Sequence, residues 1–553
     1  MIELSVLVGG KAGDGINESG MIISRILNQL RYRLYQYLDY QSLIRGGHNF
    51  SIVRASKDKI AAHKDKVNFL LALNQETIDF HEWRLEKDSF VIYNADEVKT
   101  DQPGCVGLPL KEIIKETGAP TIARNSILIG GFCKIAGIEW EVLETIIRRE
   151  VPQDVDLNLK VARQGYDSAE EKMKMKPLRN NPLPVITGNE IIGLGLIKGG
   201  LDAYVAYPMT PSSGVLHFLA HKAEDFSLKV VHPENEIAAI LMAQGFAYAG
   251  ERVACGTSGG GFCLMHEGLS LAGMAEMPVV VVVSQRVGPS TGVPTYTAQG
   301  DLHFVMNAGQ GEFTRLVIAP GDAEQAYFWS ATALALSWKY QVPTIILSDK
   351  TLSESAYSFD LEAVEEPKEA EPVVWEGGEI YQRYLRTNSG VSPLAFPPNP
   401  YAIVKVNSYA HLESGITTED ASEICSNQDK SLRKEEALIK ELNDYPSVNV
   451  YGDLNSSTAL LCWGSNKGVC AELGHKYHLR VVQPVVLNPF PIQKFEKAFF
   501  GVKKTICVEG NSTGQLARLM RNFNLQVDEK ILKYDGRPFS IEYLDDKLRE
   551  VTK

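Results

Sequence analysis

A threonine between two prolines, an acid opening a helix, a run of small residues after a strand and an arginine ahead of a glycine-rich loop are the residues here whose types and spacing could do chemistry. In Tyr207-Pro208-Met209-Thr210-Pro211-Ser212-Ser213 the prolines hold the backbone extended. The Thr210 hydroxyl can then be fixed at the carboxyl end of a parallel strand, where open α/β sheets bind ligands. Helix capping by Thr210 or Ser212 is the competing local role. Glu234 and Glu236 stand at the predicted start of the helix HPENEIAAILMAQGFAYAG, where acids commonly only complement the helix dipole. A carboxylate enclosed by Ile237, Ala238, Ala239, Ile240 and Leu241 could instead hydrogen-bond a cofactor nitrogen and promote proton transfer.

Thr257-Ser258-Gly259-Gly260-Gly261 follows a short strand, and residues this small let a flat ring or a diphosphate approach the backbone; a plain strand-to-helix turn explains them as well. Arg286 ends the next strand, where a guanidinium can hold a carboxylate bidentately, and Val287-Gly288-Pro289-Ser290-Thr291-Gly292-Val293-Pro294-Thr295 adds several hydroxyls. Surface ion pairing is the plainer role for that arginine. Near the amino end, Gly9-Gly10-Lys11-Ala12-Gly13-Asp14-Gly15 lies between the first strand and first helix, so its amides could hold an anion, although the spacing is not GxGxxG. Gly13-Asp14-Gly15 also looks like the start of the magnesium and thiamine diphosphate motif, but the asparagine pair that should follow is missing, so it reads as a decoy. Glu509-Gly510-Asn511-Ser512-Thr513-Gly514-Gln515-Leu516 again joins strand to helix and by itself decides between no roles.

These turns need strands and helices to hold them. Apolar runs followed by helix-period segments recur along the chain, the pattern of parallel α/β layers. The first block, 1–170, has candidate strands at 2–8, 67–73 and 90–93, and Ile16, Ile22, Ile23, Ile26, Leu27 and Leu30 make one apolar helix face. A charged, proline-bearing linker fills 171–184. The second block, 185–355, has strands predicted at 203–207, 279–283 extended to Ser284, and 344–348; the valine run is what a central parallel strand covered on both faces requires. An acidic and proline-rich connection, 356–455, carries a polar helix near 430–442. The last block, 456–553, has strands at 459–463, 479–482 and 505–508, with helices after Gly464 and after Asn511, where Ser512 or Thr513 could cap.

Composition narrows the function. With 553 residues, 44% hydrophobic and 22% charged, the chain has globular usage and room for several cores. A net charge of −12 gives no general footprint for nucleic acid or anionic lipid. The longest purely apolar stretch, 278–283, is far short of the roughly 20 residues a membrane span needs, so no membrane span is expected. MIELSVLVGG lacks a basic region ahead of its apolar run and reads as a buried strand, so a cytoplasmic location is expected. Of the eight cysteines no two are separated by only two residues, which argues against an iron–sulfur cluster or structural zinc on this chain and for mostly reduced, packed thiols.

In this order, YPMTPSS, HPENEIAA, TSGGG, QRVGPSTGVPT, VSPLAFP, SYAHLESGITTED, NPFP and EGNSTGQL resemble the alpha subunit of 2-oxoacid:ferredoxin oxidoreductases, in the form with a gamma domain fused at the amino end. The resemblance covers nearly the whole chain, and Arg286–Thr295 is its most specific part. It implies an α/β protein of three parts, each with a mainly parallel sheet: a gamma-type domain that includes Ile44-Arg45-Gly46-Gly47-His48, a thiamine diphosphate pyrimidine-binding domain and a transketolase C-terminal-like domain. It further implies that Glu236 meets N1′ of the aminopyrimidine and favours the imino form that removes the thiazolium C2 proton. Thr257, Ser258 and Gly259 would line the cofactor, and Thr210, Arg286 and Thr295 would face the 2-oxoacid. Coenzyme A is the implied co-substrate and ferredoxin the electron acceptor. Mg2+ and the [4Fe-4S] clusters are expected on a separate beta subunit, in a dimer of alpha-beta heterodimers. VSPLAFP and SYAHLESGITTED resemble the 2-oxoglutarate branch, with pyruvate and branched oxoacids open. Val287, Met209 and Gly260 depart from residues frequent in the family, and none of the three removes a polar contact. A non-oxidative thiamine enzyme subunit and a non-catalytic coenzyme-binding scaffold are the rival readings.

Overall fold

Leu4 to Gly10 are buried without interruption in the strand Glu3–Ala12, because this strand is covered on both faces and a two-sided strand must be apolar almost throughout. It lies inside an eight-stranded sheet in a computed structural model that describes residues 3–43, 46–100 and 104–552. The chain forms two compact units: the first takes 1–187, 355–360 and 539–553, the second 188–354 and 361–538.

In the first unit the strands run in the order Cys105–Leu108, Leu85–Asn94, Val67–Ala72, Glu3–Ala12, Gly46–Ser56, Arg33–Asp39, Ala356–Ser358, Val185–Thr187. The first four are mutually parallel. From Gly46–Ser56 onward every pairing is antiparallel, as the short connection between Arg33–Asp39 and Gly46–Ser56 demands. Those two strands escape a search for apolar runs because they bury polar groups that satisfy one another, Gln36 Nε2 donating to Ser51 Oγ at 3.0 Å. The helix Ile16–Gln29 buries Ile16, Ile23, Ile26 and Leu27, with Ile22 only half-buried. Ile2 and the Ile44-Arg45 pair, named above, lie outside the described residues.

The second unit holds two sheets. One has seven strands in the order Val486–Asn488, Leu316–Ile318, Thr344–Asp349, Val280–Gln285, Val253–Thr257, Ala203–Val205, Lys229–Val231, parallel except for the first pair. The other has five, Val448–Gly452, Arg480–Pro484, Thr458–Cys462, Lys504–Glu509, Glu529–Leu532, again parallel except for the first pair. The polar helix starts earlier than the periodicity suggests, at Ala421, because Asp420 accepts from the amides of Ser422 and Glu423 and so closes its first turn. Five of the cysteines are buried as small apolar groups. Among the described residues no helix is long and apolar enough to cross a membrane.

Candidate functional site

The polar residues picked out in the sequence gather at the carboxyl ends of Ala203–Val205, Val253–Thr257 and Val280–Gln285 in the second unit. Gln285, fully buried at the end of its strand, donates from Nε2 to the Ser348 carbonyl at 3.1 Å and accepts at Oε1 from the Asp301 amide at 2.9 Å. One side chain therefore ties both ends of the 286–301 loop to the sheet. Within the loop the Val287 amide donates to the Tyr296 carbonyl at 3.1 Å, which folds the returning arm with Thr295 beside the outgoing one.

Arg286 is 9% exposed and donates from one terminal nitrogen to the Thr210 carbonyl at 2.7 Å. Its Nε is buried with no partner. Burial depresses its pKa, while the negative charges of Asp301 and Glu236 act in the opposite sense. Thr295, 4% exposed, likewise has a buried hydroxyl oxygen with no partner. This arginine is not a surface ion-pairing residue but an inward-facing cation whose donors are only partly used.

Thr210 is half-buried. Neither it nor Ser212 caps the following helix: Ser212 precedes Ser213–His221 but turns its hydroxyl back to donate to the Met209 carbonyl at 3.0 Å. Asn189 Nδ2 donates to the Pro211 carbonyl at 2.9 Å and fixes the turn from the other side.

Glu236 opens the helix Glu236–Tyr248 and is 3% exposed, whereas Glu234 is exposed. The cap is Asn235, whose Oδ1 accepts from the Ala238 amide at 3.0 Å, so Glu236 is released from capping duty. The apolar enclosure read from the sequence needs correction. Ile237 and Leu241 are exposed, because helical periodicity turns them away from the face that carries Glu236. The Thr257–Gly261 turn crowds the carboxylate instead: the Thr257 hydroxyl donates to Glu236 Oε1 at 3.5 Å, and a Cβ on Gly261 would come within 2.3 Å of the same oxygen. Ser258 is fully buried and its hydroxyl has no partner.

Asp301 was not legible as a site residue. Its carboxylate covers Gly259, where an added Cβ would lie 2.3 Å from Oδ2. Burial raises its pKa to about 6 against the opposing pull of Arg286. The only sequence signal was an acid, GDL, where the 286–301 loop rejoins a helix. The EGNSTGQL turn finds its role here too. Asn511 Oδ1, not Ser512 or Thr513, accepts the amides of Thr513 and Gly514, while Asn511 Nδ2 donates to the Gln299 carbonyl at 3.0 Å. In the first unit the glycine turn is tied by its own acid, Asp14, which accepts from the Lys11 amide at 2.9 Å and pairs with Arg124.

A parallel α/β unit with an inward cation, a buried helix-opening acid and a small-residue turn at the strand ends places a polar site where open α/β sheets bind ligands. Residues 194–430 match the family described as pyruvate flavodoxin/ferredoxin oxidoreductase, thiamine diP-bdg, and residues 5–168 match pyruvate ferredoxin/flavodoxin oxidoreductase. The chain is 31% identical to a 2-oxoacid:ferredoxin oxidoreductase subunit alpha of Sulfolobus sp, with 100% of this chain and 97% of that protein covered. It is 27% identical to the 2-oxoglutarate oxidoreductase subunit KorA of Mycobacterium tuberculosis over 96% of this chain and 88% of that one. The solved 2-oxoglutarate:ferredoxin oxidoreductase of Magnetococcus marinus, with 2-oxoglutarate, coenzyme A and succinyl-CoA bound, superposes with a TM-score of 0.91 at 26% identity, each chain covered in full. This chain belongs to the 2-oxoacid:ferredoxin oxidoreductase alpha-subunit family.

Proposed function

We propose that the chain is the fused gamma/alpha subunit of a 2-oxoacid:ferredoxin oxidoreductase. With a beta subunit it would convert a 2-oxoacid, coenzyme A and oxidised ferredoxin into acyl-CoA, carbon dioxide and reduced ferredoxin. Arg286 carries the reading: a buried guanidinium at a strand end, with an uncommitted Nε, is built to receive a carboxylate. The residues present also fit thiamine diphosphate. The partnerless Ser258 hydroxyl and the side-chain-free faces of Gly259 and Gly261 beside Glu236 would line it, with Thr257. When bound, that cofactor supplies the carbon nucleophile and the electron sink for decarboxylation. Glu236 holds a carboxylate where it can hydrogen-bond the aminopyrimidine N1′ position, with Thr257 setting its orientation. Arg286 anchors the 2-oxoacid carboxylate, and the Thr210 and Thr295 hydroxyls orient the keto group, so binding energy is used for alignment.

The gamma-type part is assigned to 1–170, the pyrimidine-binding part to 185–355 and the transketolase C-terminal-like part to 456–553, with 171–184 as linker and 356–455 as connection. Cysteine spacing supports placing the [4Fe-4S] clusters on the beta subunit, and the incomplete motif at Gly13-Asp14-Gly15 supports placing Mg2+ there. The assembly is proposed as a cytoplasmic dimer of alpha-beta heterodimers. 2-Oxoglutarate is the proposed substrate, supported by VSPLAFP and SYAHLESGITTED. The test is native co-purification followed by an anaerobic assay of ferredoxin reduction with coenzyme A and a panel of 2-oxoacids. Oxoacid-dependent reduction by a complex with an iron–sulfur partner is expected. A cluster-loaded complex that binds thiamine diphosphate yet reduces nothing would transfer the chain to the non-oxidative reading.

A further inference from the structure

Glu276 follows the helix His266–Met274 in a left-handed backbone conformation, φ +50°, that a side chain adopts only at some cost. Two ammonium groups share its carboxylate: Lys430 Nζ donates to one oxygen at 2.6 Å and Lys434 Nζ to the other at 2.5 Å, from successive turns of the helix Ala421–Leu442. A third cation is spent on neutral acceptors. Arg383 donates to Gln341 Oε1 at 3.0 Å and to the carbonyls of Ala275 and Glu276 at 3.0 and 2.8 Å. Lys430, Lys434 and Arg383 are 2%, 3% and 2% exposed, so three buried cations surround one carboxylate.

An ammonium carries three donors, and among the described residues each of these lysines gives a single hydrogen bond, to Glu276. Buried charge without a full complement of partners is costly, and the cluster is short of negative charge. Beside it lies a cavity of about 680 Å³, with Lys434 and Glu276 in its lining. Leu241, Met274 and Ile424 line it as well, and all three are exposed apolar side chains. Two further acids of the lining, Glu267 and Glu312, are exposed. Thr210, Arg286 and Thr295 lie outside the lining, so this is a separate site from the one described above. Leu241 belongs to the helix Glu236–Tyr248, and an occupant would rest on the face of that helix turned away from Glu236.

We propose that this cavity binds an amphipathic monocarboxylate, whose head group pairs with Lys434 and completes the charge balance of the Glu276 cluster, and whose apolar body lies along Leu241, Met274 and Ile424. Each part of the ligand answers a feature of the cavity. The ammonium is a compact point charge with donors to spare, which an oxyanion satisfies. The apolar lining rewards a hydrocarbon body by removing it from water, and a bare inorganic anion would leave that gain unused. Glu267 and Glu312 repel a molecule with several negative charges, so a single anionic head is favoured. The volume suits a ligand of modest size.

The test is calorimetric titration of the full chain, and separately of the complex with which it co-purifies, using octanoate as the probe. Octanol supplies the same body without the charge, and inorganic phosphate the charge without the body. Saturable binding of octanoate, one per chain, is expected in both preparations, with octanol and phosphate each weaker by roughly tenfold or more. Lys434→Met should weaken octanoate by about tenfold or more while leaving octanol little changed. Should that variant fail to fold, Ile424→Glu keeps the question open to a decision: it alters an exposed side chain, adds a negative charge to the lining, and should weaken octanoate a few-fold. Absence of saturable octanoate binding overturns the proposal, as does octanol or phosphate binding as tightly as octanoate. Unchanged octanoate affinity in Lys434→Met, or in Ile424→Glu where that variant stands in for it, overturns it too. Binding to the full chain that is lost in the complex would also overturn it, and would give the cavity to a partner subunit.

Discussion

At the scale of single residues, the site is a set of polar groups whose hydrogen bonds are deliberately left short. Arg286 gives one bond to a carbonyl and keeps a buried Nε without partner, an arrangement that costs the free protein stability and that the proposed substrate carboxylate would relieve. Arg286→Ala, in a complex that still assembles, should therefore raise the KM for the 2-oxoacid roughly a hundredfold, the worth of a charge-assisted pair. Steady-state kinetics would show it, and unchanged KM and kcat would remove the assignment. Glu236→Gln should suppress C2 proton exchange in bound thiamine diphosphate, followed by NMR; normal exchange would refute its role. Asp301 yields a stability prediction with a definite sign. Its folded pKa, about 6, lies above the ordinary 3.8, so its contribution to stability is fully present below pH 3.8 and is lost as pH rises through 6. Asp301→Asn should stabilise the protein by up to roughly 3 kcal/mol at pH 8 and change it little at pH 4, as thermal unfolding at the two pH values would reveal. The local residue pattern left Glu234 and Glu236 equivalent, and only the family resemblance singled out Glu236. In the structure Asn235 takes the cap, so the helix starts at Glu236 and turns its side chain inward.

At the scale of elements, the EGNSTGQL turn acquires a purpose that no local reading supplies. Glu509, fully buried, accepts from Trp463 Nε1 at 3.2 Å and from the amides of Leu516 and Ala517, and Asn511 accepts from the amides of Thr513 and Gly514 in the turn just before the same helix. This rigid corner grips Gln299 and through it the loop that carries Thr295 and Asp301. Gln299→Ala would strand several buried donors and acceptors and is expected to cost roughly 2–4 kcal/mol. KM should rise with it, because the loop arms would no longer be held. Urea unfolding and kinetics on one preparation would check both, and an unchanged KM in the destabilised variant would separate stability from positioning. Ser512 and Thr513 looked like caps because hydroxyls before a helix usually are. Asn511 prevails because its one carbonyl oxygen lies within reach of two successive amides, those of Thr513 and Gly514.

At the scale of the whole molecule, burial of charge tells which parts of the sequence belong to one core. Glu276 accepts from Lys430 Nζ at 2.6 Å and from Lys434 Nζ at 2.5 Å, more than 150 positions away in the chain, and Arg383 donates to the Glu276 carbonyl at 2.8 Å. Burial alone would push the acid up, yet the surrounding cations bring Glu276 well below the usual carboxylate range, and burial pushes Lys430 down to about 8. Glu276→Gln would leave two buried ammonium groups without their counter-charge and should destabilise the second unit by roughly 3–5 kcal/mol, measurable by denaturant unfolding. The helix Ala421–Leu442 is thereby packed by one face, through Lys430, Lys434, Leu438 and Leu442, onto the second unit.

The sequence by itself determined the parallel α/β character, most central strands, the helix after the first glycine turn and the motif order that marks the family, because all of these follow from local periodicity and residue type. Tertiary structure decided the rest. The antiparallel half of the first sheet was hidden because Gln36 and Ser51 are polar until they meet each other. Asp301 became a site residue only when Gln285 and Gln299 fixed its backbone, from contacts up to 212 positions distant in sequence. An electrostatic site is set by distance and burial, and neither quantity is a property of any short stretch of chain.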